Sequence, residues 1–148
     1  MSLTDQINND LKTAMKAKDT TTLTALRAIK SQLLLAATEK GGGETDEQAG
    51  IKMLQKLVKQ RKESAELYKA QGRNDLADPE LAEAAIIERY LPKQLSEDEL
   101  KPIIKAIIDK VGASGPQDMG KVMGAASTEL AGKADGKTIS TVVRQLLS

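Results

Sequence analysis

Two side-chain types on which much enzyme chemistry depends are absent from this chain of 148 residues, which contains neither cysteine nor histidine. The chain therefore lacks the side chains for disulfide bridges, for zinc sites built from cysteine or histidine, for thiol nucleophiles and for histidine-dependent triads. Carboxylate pairs such as Glu63 with Glu66 stand one helical turn apart, but this spacing is common on exposed helices and lacks the histidines of di-metal bundles. We expect no metal site, no cofactor and no catalytic residue.

Aromatic residues are almost missing, since the chain has Tyr68 and Tyr90 but no phenylalanine or tryptophan. Modules that read single-stranded nucleic acid stack its bases on aromatic side chains, so that class of protein is excluded. The formal net charge is +1, which argues against a general binder of polyanions. Any contact with nucleic acid must therefore come from local basic patches.

The chain also lacks a long apolar segment. No apolar run approaches the roughly 20 residues that span a bilayer. The first residues, Met1-Ser2-Leu3-Thr4-Asp5-Gln6, do not show the basic region followed by an apolar run that is typical of a secretory signal. We expect a cytoplasmic protein with no membrane partner.

Apolar residues recur at three- and four-residue intervals along most of the chain, which predicts an all-α fold. Capping residues and prolines suggest where the first four helices begin and end. A run of three glycines, Gly41-Gly42-Gly43, is interpreted as a flexible connection. The predicted helices run from Ser2 to about Lys18, from the Asp19–Thr22 break to about Lys40, from Asp46 to Gln71, and from Pro79, capped by Asp78, to Leu91.

Pro92 stops the fourth helix, and Ser96 with Glu99 has the spacing of a capping box that opens the fifth. This predicts a domain of about four helices over residues 1–92 and a small three-helix domain over residues 93–148. Pro102 falls inside the fifth helix and predicts a bend or a late start. Six of the eleven glycines lie between Gly112 and Gly136, within the smaller domain.

The sixth predicted helix, Met119 to Leu130, has an unusual composition, because Gly120 and Gly124 lie on a strip nearly free of side chains, with Lys121 at its border. A glycine inside a helix costs about 1 kcal/mol relative to alanine, so a close approach of another surface is expected to offset it. That surface could be a sugar-phosphate backbone or a neighbouring helix, and the spacing alone favours the helix. The opposite face is apolar and contains Met119, Val122, Met123, Ala126 and Leu130.

Other basic residues lie on the second and third helices. Arg27 and Lys30 flank an apolar stripe, where snorkelling of the long side chains or pairing with a carboxylate of a neighbouring helix is favoured over a functional role. The third helix has five cations and no acidic residue over about three turns, which could bind phosphates or form a solvated face paired with acids elsewhere. This secondary basic patch consists of Lys52, Lys56, Lys59, Arg61 and Lys62.

Three segments resemble a known family. They are Leu26-Arg27-Ala28-Ile29-Lys30, the stretch from Arg61-Lys62-Glu63-Ser64 through Tyr68 to Gly72-Arg73, and Tyr90-Leu91-Pro92-Lys93-Gln94-Leu95-Ser96. With these segments the chain resembles, essentially end to end, the YqeY-like proteins. Two further elements resemble the tail domain of the B subunit of the amidotransferase that converts Glu-tRNA to Gln-tRNA. These elements are Gly120-Lys121-Val122-Met123-Gly124 and Gly132-Lys133-Ala134-Asp135.

The resemblance implies an all-α protein of two helical domains, whose C-terminal unit is similar to a tail that touches tRNA away from the reacting end. Carried onto this sequence, the pattern points to nucleic-acid contacts at Lys121, Lys133 and Lys137, with room for the RNA backbone at Gly120 and Gly124. Helical geometry adds Arg144 to this set. Amidotransferase tails often have proline after Lys-Ala-Asp, and here the chain has Gly136.

The resemblance implies a binding function more than an activity. The family is sometimes labelled a carbon-nitrogen ligase with glutamine as amido-N-donor, but this chain resembles only the tail and lacks the phosphate-activating and ammonia-generating portions of such an enzyme. Our first hypothesis is a non-catalytic accessory module for tRNA, or for a tRNA-charging or tRNA-amidating enzyme. The alternatives are a protein-interaction adaptor and a part of an amide-transferring ligase.

Overall fold

The computed structural model of the chain describes residues 2–39 and 46–148, so the Gly41-Gly42-Gly43 connection lies outside the described residues. Within those ranges the chain forms seven α-helices and one 3-10 turn, with no strand, which confirms the all-α prediction. The helices are α1 Leu3–Ala17, α2 Thr20–Glu39, α3 Glu47–Ala70, α4 Asn74–Glu88, α5 Glu97–Val111, α6 Met119–Glu129 and α7 Gly136–Leu147, and the 3-10 turn is Pro116–Asp118.

The chain divides into two compact units, the first ending at Leu91 and the second beginning at Pro92. The boundary lies one residue before the one expected from the sequence. In the first unit α3 packs along α4, and α2 packs against both α1 and α4. In the second unit α5, α6 and α7 pack against one another.

Hydrogen bonds from the backbone to capping side chains mark the starts of α1 and α2. The backbone N–H of Asp5 donates to the Ser2 hydroxyl over 3.1 Å, and that of Thr22 donates to the Asp19 carboxylate over 3.1 Å. The Thr22 hydroxyl donates to the same carboxylate over 2.6 Å, and these two bonds hold the pKa of Asp19 below its usual value. Lys18, with a φ of 56°, ends α1 in a left-handed conformation. These caps satisfy backbone groups that a helix end leaves unpaired.

The core of the first unit is aliphatic. In α1 the buried face has Ile7, Leu11 and Ala14 at its centre, and Met15 lies beside that face and is 53% exposed. The buried members of this core are Ile7, Leu11, Ala14, Ala25, Leu26, Ile29, Leu33, Leu54, Leu57, Val58, Ala84, Ile86 and Ile87.

The predicted start of the fourth helix at Pro79 is wrong, since α4 begins at Asn74 and contains Pro79 in its second turn. Ala77, which precedes the proline, is fully buried, so tertiary packing draws this segment into the helix. The Arg73 guanidinium also bonds the Asp75 carboxylate over 2.9 and 3.0 Å at the helix start. Pro79 lacks only the one N–H that would bond the carbonyl of Asp75, and the packing of Ala77 offsets that loss.

Tyr90, just after α4, connects the end of that helix to α1, because its hydroxyl donates a hydrogen bond to Asp10 Oδ2. Burial raises the pKa of Tyr90 above its ordinary value near 10.0, and the hydrogen bond to Asp10 adds to the shift. A raised folded-state pKa means that the neutral phenol contributes stability below about pH 10. This contribution is lost as the pH rises from about 10 through the folded-state pKa.

We therefore expect Tyr90→Phe to lower the free energy of unfolding by about 1 kcal/mol at pH 8, and the deficit to shrink above pH 10. Urea unfolding at pH 8 and pH 11 measures both values. Tyr68→Phe is the matched control, because no hydrogen bond to the Tyr68 hydroxyl is found within the described residues. A Tyr90→Phe deficit that is the same at both pH values contradicts the proposed role of the phenol.

The second unit opens as the sequence predicts. Ser96 and Glu99 form a reciprocal capping box, in which each backbone N–H donates to the partner's side chain over 3.2 Å. These bonds, with Lys93 at 3.3 Å, hold the pKa of Glu99 below its usual value. The helix begins at Glu97, so the late start considered for Pro102 is wrong. Pro102 interrupts only the bond to the carbonyl of exposed Asp98, which water can satisfy.

A separate aliphatic core holds α5, α6 and α7 together. The faces predicted from periodicity supply most of it, and Leu147 is buried at the end of α7, where Leu146 is only half-buried. No helix in the two described ranges is both long enough and apolar enough to cross a membrane. The buried members of this core are Leu100, Ile104, Ile107, Val122, Ala126, Leu130, Ala134, Ile139, Val142, Val143 and Leu147.

Candidate nucleic-acid interface

The two glycines of α6 lie on its exposed side. Val122 and Ala126 are fully buried against the core, whereas Gly120 and Gly124 face solvent. A Cβ atom placed at either glycine would meet no atom of the described residues within 4 Å. Neither residue has a positive φ, so the backbone conformation does not require glycine at these positions. The strip is therefore open helix backbone.

This openness bears on the two surfaces considered from the sequence, a sugar-phosphate backbone and a neighbouring helix. A neighbouring helix of the chain was favoured as the surface that offsets the glycines, and within the described residues no such helix covers them. The cost of two glycines in a helix, about 1 kcal/mol each, is not recovered by packing in this part of the chain.

Three residues of the Gly132-Lys133-Ala134-Asp135 loop between α6 and α7 have structural roles. Gly132 is buried with a φ of 79°, in the left-handed region that favours glycine. Ala134 is buried in the core, and the Asp135 carboxylate caps α7 by accepting from the Thr138 N–H over 2.7 Å. Lys133 is the exception, because its side chain is exposed.

The segment before α5 fixes the backbone of this loop. The Gln94 side-chain amide donates to the carbonyls of Pro92 and Gly132, both over 2.8 Å, and the Leu95 N–H donates to the carbonyl of Lys133 over 2.8 Å. Lys133 itself donates its N–H to the carbonyl of Leu130 over 2.9 Å. The backbone that carries the Lys133 side chain is thus held on both sides.

We expect Gln94→Ala to lower the free energy of unfolding of the second unit by about 1–2 kcal/mol, because two hydrogen bonds are lost and the Gly132 carbonyl is left without its donor. Urea unfolding measures the loss, and amide chemical shifts of Gly132 and Lys133 report the local change. The matched control is Gln145→Ala on α7, an exposed glutamine. Equal losses in both variants contradict the role given to Gln94.

Two further candidate residues, Lys137 and Arg144, lie on α7. They are exposed and seven residues apart, so they lie nearly in line on one face, about 10 Å apart along the helix axis. Lys137 stands in the first turn, where the helix dipole is positive and a cation is unfavourable. The Asp135 carboxylate at the cap of α7 offsets part of this positive charge.

The cations of the second unit are electrostatically available. Lys121, Lys133, Lys137 and Arg144 are all exposed, and none of them forms an ion pair with a carboxylate of the described residues. The structure places all six candidates in one compact unit, on α6, the following loop and α7. Four of these positions supply charge, and Gly120 and Gly124 supply open backbone.

The secondary basic patch on α3 is largely paired with carboxylates. Arg61 is 16% exposed and lies 3.6 Å from the Glu83 carboxylate, and Lys62 lies 2.7 Å from that of Glu88. Lys59 reaches Glu63 at 4.0 Å. These three residues match the alternative of a basic face paired with acids elsewhere. Lys52 and Lys56 are exposed and have no such pair within the described residues, so they are the part of the patch with free charge.

Sequence reasoning did not find the role of Gln94. The signal was present, since Gln94 stands in one of the segments that carry the family resemblance, but a glutamine in a loop does not reveal which distant carbonyl it bonds. For Arg27 and Lys30 the sequence indicated either snorkelling or pairing with a carboxylate. Neither residue has a carboxylate partner within the described part of the chain.

A comparison with known families decides the family. The model of the family described as Yqey-like protein matches residues 4–147. The chain belongs to the YqeY-like family. The match covers both compact units, so the family assignment applies to the two-unit chain as a whole. The likeness of the second unit to an amidotransferase tail stays a prediction.

Similar proteins are found among fungi under the name "Altered inheritance of mitochondria protein 41, mitochondrial". The one from Meyerozyma guilliermondii is 42% identical over 85 residues, which cover 57% of this chain and 44% of that protein. The one from Clavispora lusitaniae is 34% identical over 115 residues, covering 76% and 66%. The one from Pyrenophora tritici-repentis is 26% identical over 145 residues, covering 96% and 79%. The chain thus spans less than two thirds of the first two relatives.

Proposed function

We propose that the protein is a non-catalytic accessory module that binds folded tRNA, or docks tRNA beside a charging or amidating enzyme, through its C-terminal unit. The observation that carries this proposal is the open glycine strip of α6, which neither α5 nor α7 covers. Helix backbone without side chains permits close approach of a sugar-phosphate backbone. Lys121, Lys133, Lys137 and Arg144 supply the positive charge that phosphates need.

The expected mode of binding is recognition of RNA shape. Lysines and exposed backbone contact phosphates and sugars, which position a protein on nucleic acid but carry no direct sequence information. The chain has only two aromatic side chains, Tyr68 and Tyr90, and neither lies in the C-terminal unit, so base reading in single strands is not part of the proposal. A cytoplasmic location, expected from the sequence, belongs to the same proposal, although the names of the fungal relatives describe those proteins as mitochondrial.

The direct test is binding of the purified chain to folded tRNA across a salt series. Affinity should fall linearly with the logarithm of the salt concentration, with a slope of about −3 to −4 if each lysine or arginine of the candidate set meets one phosphate. Heat-unfolded tRNA of the same sequence should bind more weakly, because shape is recognised. Absence of binding to folded tRNA at low salt contradicts the proposal.

A protein-interaction adaptor is the second candidate, favoured by the same open strip, because small residues also let a partner helix approach closely. Gly124→Leu separates the two candidates. For an adaptor this change abolishes co-purification of a specific protein and leaves tRNA binding unchanged, whereas for an RNA module it weakens tRNA binding.

The amide-transferring activity attached to the family label is the third candidate, and it has the least support. The chain has no cysteine or histidine for generating or guiding ammonia. Of the amidotransferase, it resembles only the tail domain of the B subunit. Incubation of the purified chain with charged tRNA and glutamine tests it. Formation of a glutamine-dependent amidated product would establish an activity, and its absence removes this candidate.

A further inference from the structure

The first unit contains an open depression of about 450 Å³ on the surface formed by α1 and α2. Its volume lies within the range of about 300–1,000 Å³ that small-molecule sites occupy. It belongs wholly to the first unit, so it is distinct from the candidate residues on α6 and α7. The residues that line it are Asn8, Leu11, Lys12, Met15, Arg27 and Lys30.

The floor of the depression is apolar. Leu11 is buried, whereas Met15 is 53% exposed. Removing the apolar surface of Met15 from water would be favourable, so a ligand that covers it gains binding free energy. Methionine is unbranched and adapts its shape to what it contacts. The aliphatic stems of the lysines and the arginine add to this apolar surface. A fully hydrated ion alone would leave the floor uncovered.

The rim of the depression is cationic. Lys12, Arg27 and Lys30 all line it, no acidic residue does, and none of the three forms an ion pair with a carboxylate of residues 2–39 or 46–148. In the same unit, by contrast, Arg61 and Lys62 each have a glutamate partner. Three like charges around one depression repel one another, and an anion bound between them would relieve that repulsion.

One polar atom in the lining also lacks a partner. The side-chain oxygen of Asn8 is buried and accepts no hydrogen bond from the described residues. Buried polar atoms are nearly always paired, so such an atom at a site needs an explanation. The Asn8 amide can accept from a hydroxyl or N–H group of a ligand, or donate to an anionic oxygen when its amide is turned.

We infer that this depression is a binding site for an amphiphilic anion, a molecule that joins a carboxylate or phosphate to an apolar body. The anionic group lies among Lys12, Arg27 and Lys30, and the apolar body covers Leu11 and Met15. The charge selects the anion, and the apolar floor selects against inorganic ions and against a sugar-phosphate backbone, which is hydrated on all sides.

Amide chemical shifts of the ¹⁵N-labelled full chain test this inference, with decanoate, decyl phosphate, acetate, inorganic phosphate and decyltrimethylammonium as probes below their micelle concentrations. We expect saturable shifts in residues 8–15 and 27–30 with decanoate or decyl phosphate, at least about tenfold tighter than with acetate or phosphate, because burial of methylenes adds affinity. The stronger of the two decyl anions identifies the head group. Equal binding of the decyl cation overturns the proposal.

Variants separate the two parts of the site. Arg27→Gln with Lys30→Gln should weaken binding of the decyl anion about tenfold or more, and Met15→Gln should weaken the decyl anion but leave acetate unchanged. The matched control is Lys52→Gln with Lys56→Gln, which removes two exposed charges from the same unit and should leave binding unchanged. Spectra away from the site report whether each variant remains folded. Equal effects of both double variants, or saturable shifts in this region with folded tRNA alone, contradict the inference.

Discussion

Joint replacement of Lys121, Lys133 and Lys137 by glutamine is expected to lower the affinity for folded tRNA about 100-fold at low salt and to reduce the salt slope by about 3, because each lysine neutralises one phosphate. The three side chains are exposed and form no ion pair within the described residues, so their free charge is available to RNA. Filter binding across a salt series measures both quantities. The loss should be similar for different tRNAs, since phosphates are contacted and not bases.

A control of equal charge separates a local site from general electrostatics. Lys101, Lys105 and Lys110 are exposed on α5 in the same unit, and their joint replacement by glutamine also removes three positive charges. We expect this control to weaken binding only slightly, through the long-range field. Equal losses in the two triple variants contradict a defined surface on α6 and α7. Neither triple variant should shift the free energy of unfolding by more than about 0.5 kcal/mol, as is usual for surface changes.

Replacement of Gly120 and Gly124 together by alanine should have opposite effects on stability and binding. Alanine is favoured over glycine in a helix by about 1 kcal/mol, and at both positions a Cβ meets nothing of the described chain, so the free energy of unfolding should rise by about 1–2 kcal/mol. Affinity for tRNA should fall about tenfold or more, because two methyl groups occupy the strip that the RNA backbone approaches. Urea unfolding and filter binding measure the two effects.

Two single substitutions serve as comparisons for the double alanine variant. Gly132→Ala should destabilise the second unit by more than about 1 kcal/mol, because a buried residue with a φ of 79° suits glycine. Ser127→Ala, on the exposed side of α6, should change neither stability nor binding by a large amount. If the double alanine variant is more stable and binds tRNA as before, the strip is not the contact. Loss of a protein partner by that same variant supports the adaptor.

Helix content and most helix starts were predictable from the sequence, because they depend on local interactions. The face of α5 follows from the spacing of its isoleucines, and Ser96 with Glu99 marks its start, since a capping box acts over three residues. The Asp135 carboxylate caps α7 by accepting from the Thr138 N–H, which is again a contact over three residues. The family was also recognisable from short segments.

The arrangement at the candidate sites depended on contacts between residues far apart in the chain. Burial of Ala77 moved the start of α4 ahead of Pro79, and Glu83 and Glu88 on α4 neutralise Arg61 and Lys62 on α3. Periodicity gives the face on which a residue lies but does not identify its neighbour on another helix.

The glycine strip was likewise predictable in part from helical spacing and in part only from the tertiary structure. Helical spacing alone showed that Gly120 and Gly124 share one side of α6, and the cost of glycine in a helix indicated that this side meets another surface. Only the tertiary structure decided that this surface does not come from α5 or α7, because it depends on where those two helices pack. Likewise, the sequence contained Gln94 and Gly132, but only folding brings the amide of one to the carbonyl of the other, 38 residues away.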